Sequence, residues 1–169
     1  HITGYALSTS TAWYDLSELG TALIPKPSSA ITMELVSTSA NDTSNGSGVR
    51  TVDVFGLDAN YNEQVETVIL AGLTPVSTVN TYIRINGLHS KTVGSFGATA
   101  VGDISLQSVG GATKYAVIKA GGNVDLSCRY CVPAGKTAVI PSACFSTTTK
   151  SNNALTRLSL RATVDWDDR

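Results

Sequence analysis

The chain has 169 residues, a length that fits one domain able to bury roughly two thirds of the surface of its unfolded form. Charged residues make up only 15% of the chain and its net charge is −1, so the composition excludes the basic surface that a nucleic-acid partner needs. No run approaches the length of a membrane-spanning helix, and we expect no membrane partner.

The sequence starts at His1 rather than at a methionine, so we expect a processed chain or one part of a longer gene product. Residues 13–20 are the one stretch that predicts a short helix, because two leucines lie three residues apart and Gly20 can end it. The next element is a strand predicted over 31–36.

Residues 38–48, with the sequence TSANDTSNGSG, form a polar segment between two predicted strands. We interpret it as a long hairpin loop with Asn45 and Gly46 at its tip. Its two N-x-S/T triplets, at Asn41 and Asn45, could accept a glycan in a eukaryotic secreted protein. Chance explains them better, because Asn and Ser are abundant in this chain.

The clearest strand pattern begins at 49–55, where Val52 and Val54 fall on one face of an alternating segment. A turn at 56–62 is rich in Gly, Asn and Asp, which tolerate or stabilise turn dihedrals. It predicts a hairpin whose second strand runs over 65–70.

A third strand is predicted at 82–86, with Ile83 and Ile85 on one face and Tyr82 and Arg84 on the other. The three central strands would then form a meander, which buries one face and needs a second layer to cover it.

The remaining pattern is again one of strands and turns. Residues 88–101 predict a loose segment dotted with glycines, and Gly110 and Gly111 predict a turn. The predicted strands are 103–108, 114–120, 123–132, 137–145 and 158–166, with a tight turn at 133–136.

Three of these segments carry a resemblance to a known family. Residues 56–86 read GLDANYNEQVETVILAGLTPVSTVNTYIRIN, followed by VGDISL at 101–106 and YCVPAGKTAVI at 130–140. They resemble structural proteins encoded by tailed viruses of aquatic bacteria, in which G-L-D-x-x-Y-N-E-x-x-E-x-V, T-P-V-x-T-x-N and V-P-A-G-K-T-A recur in this order. The resemblance covers residues 36–146 and includes no chemical motif. It implies a virion-surface or capsid-decorating component and no catalytic residue.

The strand and turn pattern predicts an all-β fold with at most one short helix. The expected architecture is a two-sheet antiparallel β-sandwich, with jelly-roll connections as one option, formed by a single domain over 1–169. The last strand is apolar on one face, so Trp166→Ala should destabilise the fold by roughly 3–5 kcal/mol.

The three cysteines are predicted to be structural thiols. On an alternating strand at 123–132, Cys128 and Cys131 would point to opposite faces, which makes them poor ligands of one metal. Cys144 does not complete a zinc set or a disulfide framework. We expect the thiols to be buried, as free cysteines usually are.

An acidic cluster at Asp58, Glu63 and Glu66 is the best candidate for a chemical site. Asp58 and Glu63 flank a hairpin tip and could bind calcium through oxygen ligands, or could act as a carboxylate pair in glycoside hydrolysis. The plainer interpretation, which we prefer, is that they serve the turn or face water. His89, in a predicted loop, lies in no catalytic motif. The sequence therefore predicts no catalytic residue, cofactor or metal.

The preferred function is a non-enzymatic structural protein of a virion, which acts through contacts with the major capsid protein or other virion proteins and forms a homo-oligomer. A low-charge surface suits such contacts, because Lys and Glu are depleted at interface cores. The alternative is a carbohydrate-binding or adhesin domain of a tail or fibre, with Trp13, Tyr14, Tyr61 or Tyr82 as stacking platforms. A third option is a polysaccharide-degrading enzyme that uses Asp58 and Glu63.

Overall fold

The computed structural model describes residues 19, 24–95 and 97–139. The chain divides into two units, His1–Thr137 and Ala138–Arg169. All strands described below belong to the first unit. The predicted helix at 13–20 lies outside the described residues, apart from Leu19 in a turn. So do the predicted strand at 137–145 from residue 140 onward, the predicted strand at 158–166, and with them Cys144 and Trp166. The single domain over 1–169 stays a prediction.

The described chain is all β and contains no helix, which confirms the predicted fold class. Its strands are β1 (Met33–Ser37), β2 (Val49–Leu57), β3 (Glu63–Ile69), β4 (Val76–Ser77), β5 (Arg84–Val93), β6 (Ile104–Ser108) and β7 (Lys114–Ile118).

These strands form two antiparallel sheets, as a β-sandwich requires. One sheet has the order β4-β1-β6-β7 and the other the order β3-β2-β5. Only β2 and β3, and β6 and β7, follow each other along the chain within one sheet, so every other connection passes from one sheet to the other. Jelly-roll connections stay a prediction, because several predicted strands lie outside the described residues.

The core lies between the two sheets and follows the alternation seen in the sequence. Val52 and Val54 of β2 are fully buried, whereas their odd-numbered neighbours are partly exposed. On the other sheet, Met33 and Leu35 of β1 and Leu106 of β6 are also fully buried. The apolar faces of both sheets therefore join in one cluster, which provides the main hydrophobic stabilisation.

The prediction for the third central strand is wrong in two respects. β5 pairs with β2 instead of β3, so the three strands do not form a meander. The strand also runs from Arg84 to Val93, through the segment predicted to be loose.

The predicted faces at 82–86 are wrong as well, because Tyr82 is fully buried together with Ile85. Tyr82 forms an isolated bridge with Ile31, ahead of β1, through backbone hydrogen bonds of 2.8 and 3.1 Å. The chain changes sheets just after Tyr82, which resets the alternation. Gly56 permits this packing, since a Cβ there would lie 2.6 Å from the Tyr82 ring.

The polar segment at 38–48 is not a hairpin loop. β1 and β2, which it joins, lie in different sheets, so the segment crosses between the layers. Periodicity identifies each strand but cannot say whether two successive strands pair.

Residues 123–132 do not form the predicted strand. They run irregularly along the outer edges of β5 and β7, with one isolated bridge between Val124 and His89. Cys128 has a φ of 48°, which breaks any extended alternation. Cys128 is exposed and Cys131 half-buried, so the prediction that the thiols are buried is wrong for Cys128.

Candidate interaction surface

The outer face of the three-stranded sheet is the surface that points away from the core. We define it by seven residues that the strand register places side by side: Thr51, Asp53, Phe55, Val65, Thr67, Ile69 and His89. Two apolar side chains on it are more than half exposed, Val65 at 54% and Ile69 at 59%. Both belong to β3, at the edge of the sheet.

Polar contacts order the middle of the outer face. The Thr67 hydroxyl donates to Asp53 Oδ1 at 2.5 Å, and Lys91 Nζ contacts Thr67 Oγ1 at 2.8 Å and Asp53 Oδ1 at 3.2 Å. Thr51 and Thr92 share a hydrogen bond of 2.6 Å between their hydroxyls. An exposed ion pair of this kind contributes only about 0–1 kcal/mol, so these contacts fix side-chain positions more than they stabilise the fold.

His89 stands on the outer face and not in a loop, because β5 extends through it. Its ring meets Phe55 edge to face, with the ring centroids 5.3 Å apart. Among the described residues no acid or nucleophile contacts the His89 imidazole in a catalytic arrangement. The histidine therefore adds aromatic surface to the outer face.

The acidic residues at the β2–β3 hairpin do not converge. Asp58 accepts hydrogen bonds from the backbone amides of Asn60 and Asn62 at 2.8 and 2.9 Å, and from the Asn62 side chain at 3.2 Å. The bond from the Asn62 amide is the main reason that the pKa of Asp58 is lowered. Asp58 thus serves the turn.

Glu66 and Glu63 have other partners. Glu66 accepts from the backbone amides of Val79 and Asn80 at 2.7 and 2.9 Å, and the Glu63 carboxylate lies 3.4 Å from the Tyr130 hydroxyl. In the part of the chain that the structure describes, no three His, Cys, Asp or Glu residues are grouped to hold a metal ion.

Two of the four proposed sugar-stacking aromatics do not offer open rings. Tyr82 is fully buried, and burial followed by the charge of Glu66 raises its pKa strongly. Tyr61 is half-buried, with the Arg84 guanidinium 5.5 Å from its ring centroid. Trp13 and Tyr14 lie outside the described residues.

Asp42 is the residue that sequence reasoning missed. Its fully buried carboxylate accepts four hydrogen bonds, from Ser37 Oγ at 2.6 Å and from the backbone amides of Val49, Val101 and Gly102 at 2.9, 3.0 and 2.8 Å. It therefore joins the end of β1, the start of β2 and the approach to β6. Its one signal is an acid inside an otherwise neutral Ser- and Gly-rich crossing.

A buried ion pair lies beside the four-stranded sheet. Arg129 donates to the Asp125 carboxylate and to the Tyr115 carbonyl oxygen. Burial raises the pKa of Asp125 and lowers that of Arg129, and each residue's charge opposes the effect on the other. The pair fastens the irregular segment to β7.

One pocket lies next to this pair and has a volume of about 130 Å³, lined by Pro25, Pro27, Arg84, Arg129 and Cys131 among others. Small-molecule sites usually enclose about 300–1,000 Å³. Burial raises the pKa of the Cys131 thiol, which disfavours the reactive thiolate. The pocket is therefore a poor candidate for a substrate site.

No family model, curated protein or solved structure matches this chain significantly. The described ranges contain no helix that is long and apolar enough to cross a membrane. The function has to be inferred from the surface of the chain itself.

Proposed function

We propose that this protein is a non-enzymatic structural component of a viral particle, placed on the particle surface as a capsid decoration or cement protein. The observation that carries the proposal is the open outer face of the three-stranded sheet, where Val65 and Ile69 are each more than half exposed. Exposed apolar side chains that share one face of a sheet are typical of surfaces that contact other proteins.

The charge pattern of the outer face supports the same role. Its acid, Asp53, is paired with Lys91, so a partner would meet a nearly neutral surface. Fixed hydroxyls on Thr51 and Thr67 add hydrogen-bonding groups that need little ordering on binding. The proposed partners are the major capsid protein, other virion proteins and further copies of this chain.

Local use of the acidic groups supports a role without catalysis. Asp58 accepts hydrogen bonds from its own turn, and Glu66 binds the backbone at 79–80. The two carboxylates thus bind different parts of the chain, Asp58 at 60–62 and Glu66 at 79–80. The resemblance of residues 36–146 to structural proteins of tailed viruses supports the viral setting.

The test is to analyse purified particles of the virus whose genome encodes this chain. We expect mass spectrometry to find the chain in a fixed ratio to the major capsid protein after density-gradient purification, and a reconstruction to show a β-sandwich on the particle surface. Abundant host proteins from the same lysate serve as the contamination control. A chain that is present in the lysate but missing from the particles would refute the proposal.

A further inference from the structure

Each sheet has two edge strands, and three of these four edges are protected. β4 has only two residues. β5 is covered at its middle, where Ser90 donates to the Asn123 carbonyl at 2.8 Å and Asp125 donates to the Leu88 carbonyl at 3.0 Å. Its pairing with β2 also contains register shifts. Short length, coverage and bulges are the usual ways in which proteins protect sheet edges.

The edge of β7 is covered by the buried ion pair. Arg129 donates to the Tyr115 carbonyl, and the Asp125 carboxylate accepts from the backbone amide of Val117. Outward-pointing backbone groups of β7 are thereby satisfied from within the chain.

β3 is the exception. It has seven residues, pairs with β2 without a register shift, and contains neither proline nor lysine. Two hydrogen bonds at the ends of the hairpin, from Leu70 N to Arg50 O at 2.9 Å and from Asp58 N to Asn62 O at 3.0 Å, show which residues of β3 are hydrogen-bonded to β2. In an antiparallel pair, hydrogen-bonded and non-hydrogen-bonded residues alternate. The even-numbered residues of β3 therefore bond to β2, and the odd-numbered ones point their amides and carbonyls away from it.

The outward backbone groups belong to Glu63, Val65, Thr67 and Ile69. Among the described residues, none of these four amides donates to a loop or to a side chain. The side chains of Val65, Thr67 and Ile69 stand on the outer face, where Val65 and Ile69 are exposed. An edge of this kind presents both a row of main-chain donors and acceptors and an apolar strip, which is what a further strand binds.

We propose that β3 pairs with β3 of a second copy of the chain, antiparallel about a two-fold axis, to give a six-stranded sheet. The inference rests on the proposed structural role and deepens it by naming one partner. A second copy fits because the edge is self-complementary. Hydrogen-bonded pairs must join outward residues, and a register centred on Thr67 places Thr67 opposite Thr67 of the partner subunit.

The same register places Val65 opposite Ile69 of the partner subunit, and by symmetry the reverse. β-branched side chains pair well across strands. A register centred on Glu66 would instead bring two glutamates opposite each other, which like charge disfavours. The Thr67-centred register leaves Glu63 opposite Ala71 of the partner subunit, so no charges of like sign meet along the edge.

The first test measures the mass of the full chain in solution against concentration by sedimentation equilibrium. We expect a monomer–dimer equilibrium for the wild type. Ile69→Lys should weaken it at least about tenfold, because the substitution acts twice in a two-fold interface. Thr67→Pro should also weaken dimerisation, because it removes an amide that points away from β2. It removes no backbone hydrogen bond between β2 and β3. Circular dichroism shows whether both variants remain folded.

Val109→Lys is the matched control. Val109 is 61% exposed, a fraction similar to the 59% of Ile69, but it lies in the β6–β7 turn of the other sheet. We expect it to dimerise like the wild type. A wild type that stays monomeric, a dimer that survives both β3 substitutions, or equal weakening by Val109→Lys would each overturn the proposal.

The second test checks the register by disulfide cross-linking, with the native cysteines replaced by serine. Thr67→Cys should cross-link, because paired residues of antiparallel strands have Cα atoms about 4.5–5.5 Å apart. Val65→Cys should not, because two such residues would be separated by four positions, roughly 14 Å. The opposite pattern would refute this register. A cross-linked dimer from a chain that particles lack would uphold the pairing and refute only the viral role.

Discussion

The two sheets meet their surroundings differently. In the four-stranded sheet, β7 is buried on both faces, since every residue from Tyr115 to Ile118 is at most 7% exposed. In the three-stranded sheet, β3 buries Val68 but exposes Val65 and Ile69 on its other face. The four-stranded sheet is therefore covered on both faces at β7, whereas in the three-stranded sheet β3 has one exposed face and, among the described residues, an unpaired edge. The buried strands that stabilise the fold and the exposed face to which we assign a role in contacts therefore lie in different sheets.

The largest effect should come from the link between the sheets. Asp42→Ala leaves the backbone amides of Val49, Val101 and Gly102 without their acceptor. At about 1–3 kcal/mol for each unsatisfied buried group, we expect the free energy of unfolding to fall by at least about 3 kcal/mol in urea titrations. Asn41→Ala, at the exposed neighbour, is the control and should change little. A similar small loss for both would show that Asp42 does not join the sheets.

The second prediction contrasts one side chain from each sheet. Leu106→Ala, at a fully buried position of β6, should lower the free energy of unfolding by about 2–5 kcal/mol. Ile69→Ala, on the outer face, should change it by about 0.5 kcal/mol or less when measured on the dilute monomer. Urea unfolding of both variants at one protein concentration makes the comparison. Equal losses would mean that the outer face of β3 is covered in the folded monomer.

The smallest effect concerns pH. The folded protein raises the pKa of Tyr82, so the native state holds this proton more tightly than the unfolded chain, in which tyrosine titrates near 10. Stability from this group is complete below about pH 10 and is lost as the pH rises further. Tyr82→Phe should cost about 1 kcal/mol or less at neutral pH, where it removes the 3.4 Å contact with Glu66.

Urea unfolding at successive pH values up to about 11 would check this linkage, since the variant lacks the titrating group. We expect the stability of the wild type to fall more steeply than that of Tyr82→Phe above about pH 10. Parallel curves would show that Tyr82 ionises equally well in both states.

Local pattern predicts much of this fold. β2 and β3 follow from alternation around a turn that Asp58 closes, and β6 and β7 follow from two apolar runs around Gly110 and Gly111, whose φ values of 83° and 77° only glycine adopts readily. Each of these features depends on residues close in sequence. For the candidate surface, the sequence indicates low charge and a turn role for Asp58, but not which face of the sheet is exposed.

The sequence by itself determined the class of fold, because the period of apolar residues and the positions of turn formers are local properties of the chain. Tertiary structure alone decided that Asp42 is a buried link, that Tyr82 shares the core with Ile85, and that β3 is an edge strand of the described sheet. Each of these depends on which distant strands become neighbours. Sheet order follows from the packing of two layers and the satisfaction of backbone groups across them, and no short stretch of sequence carries that information.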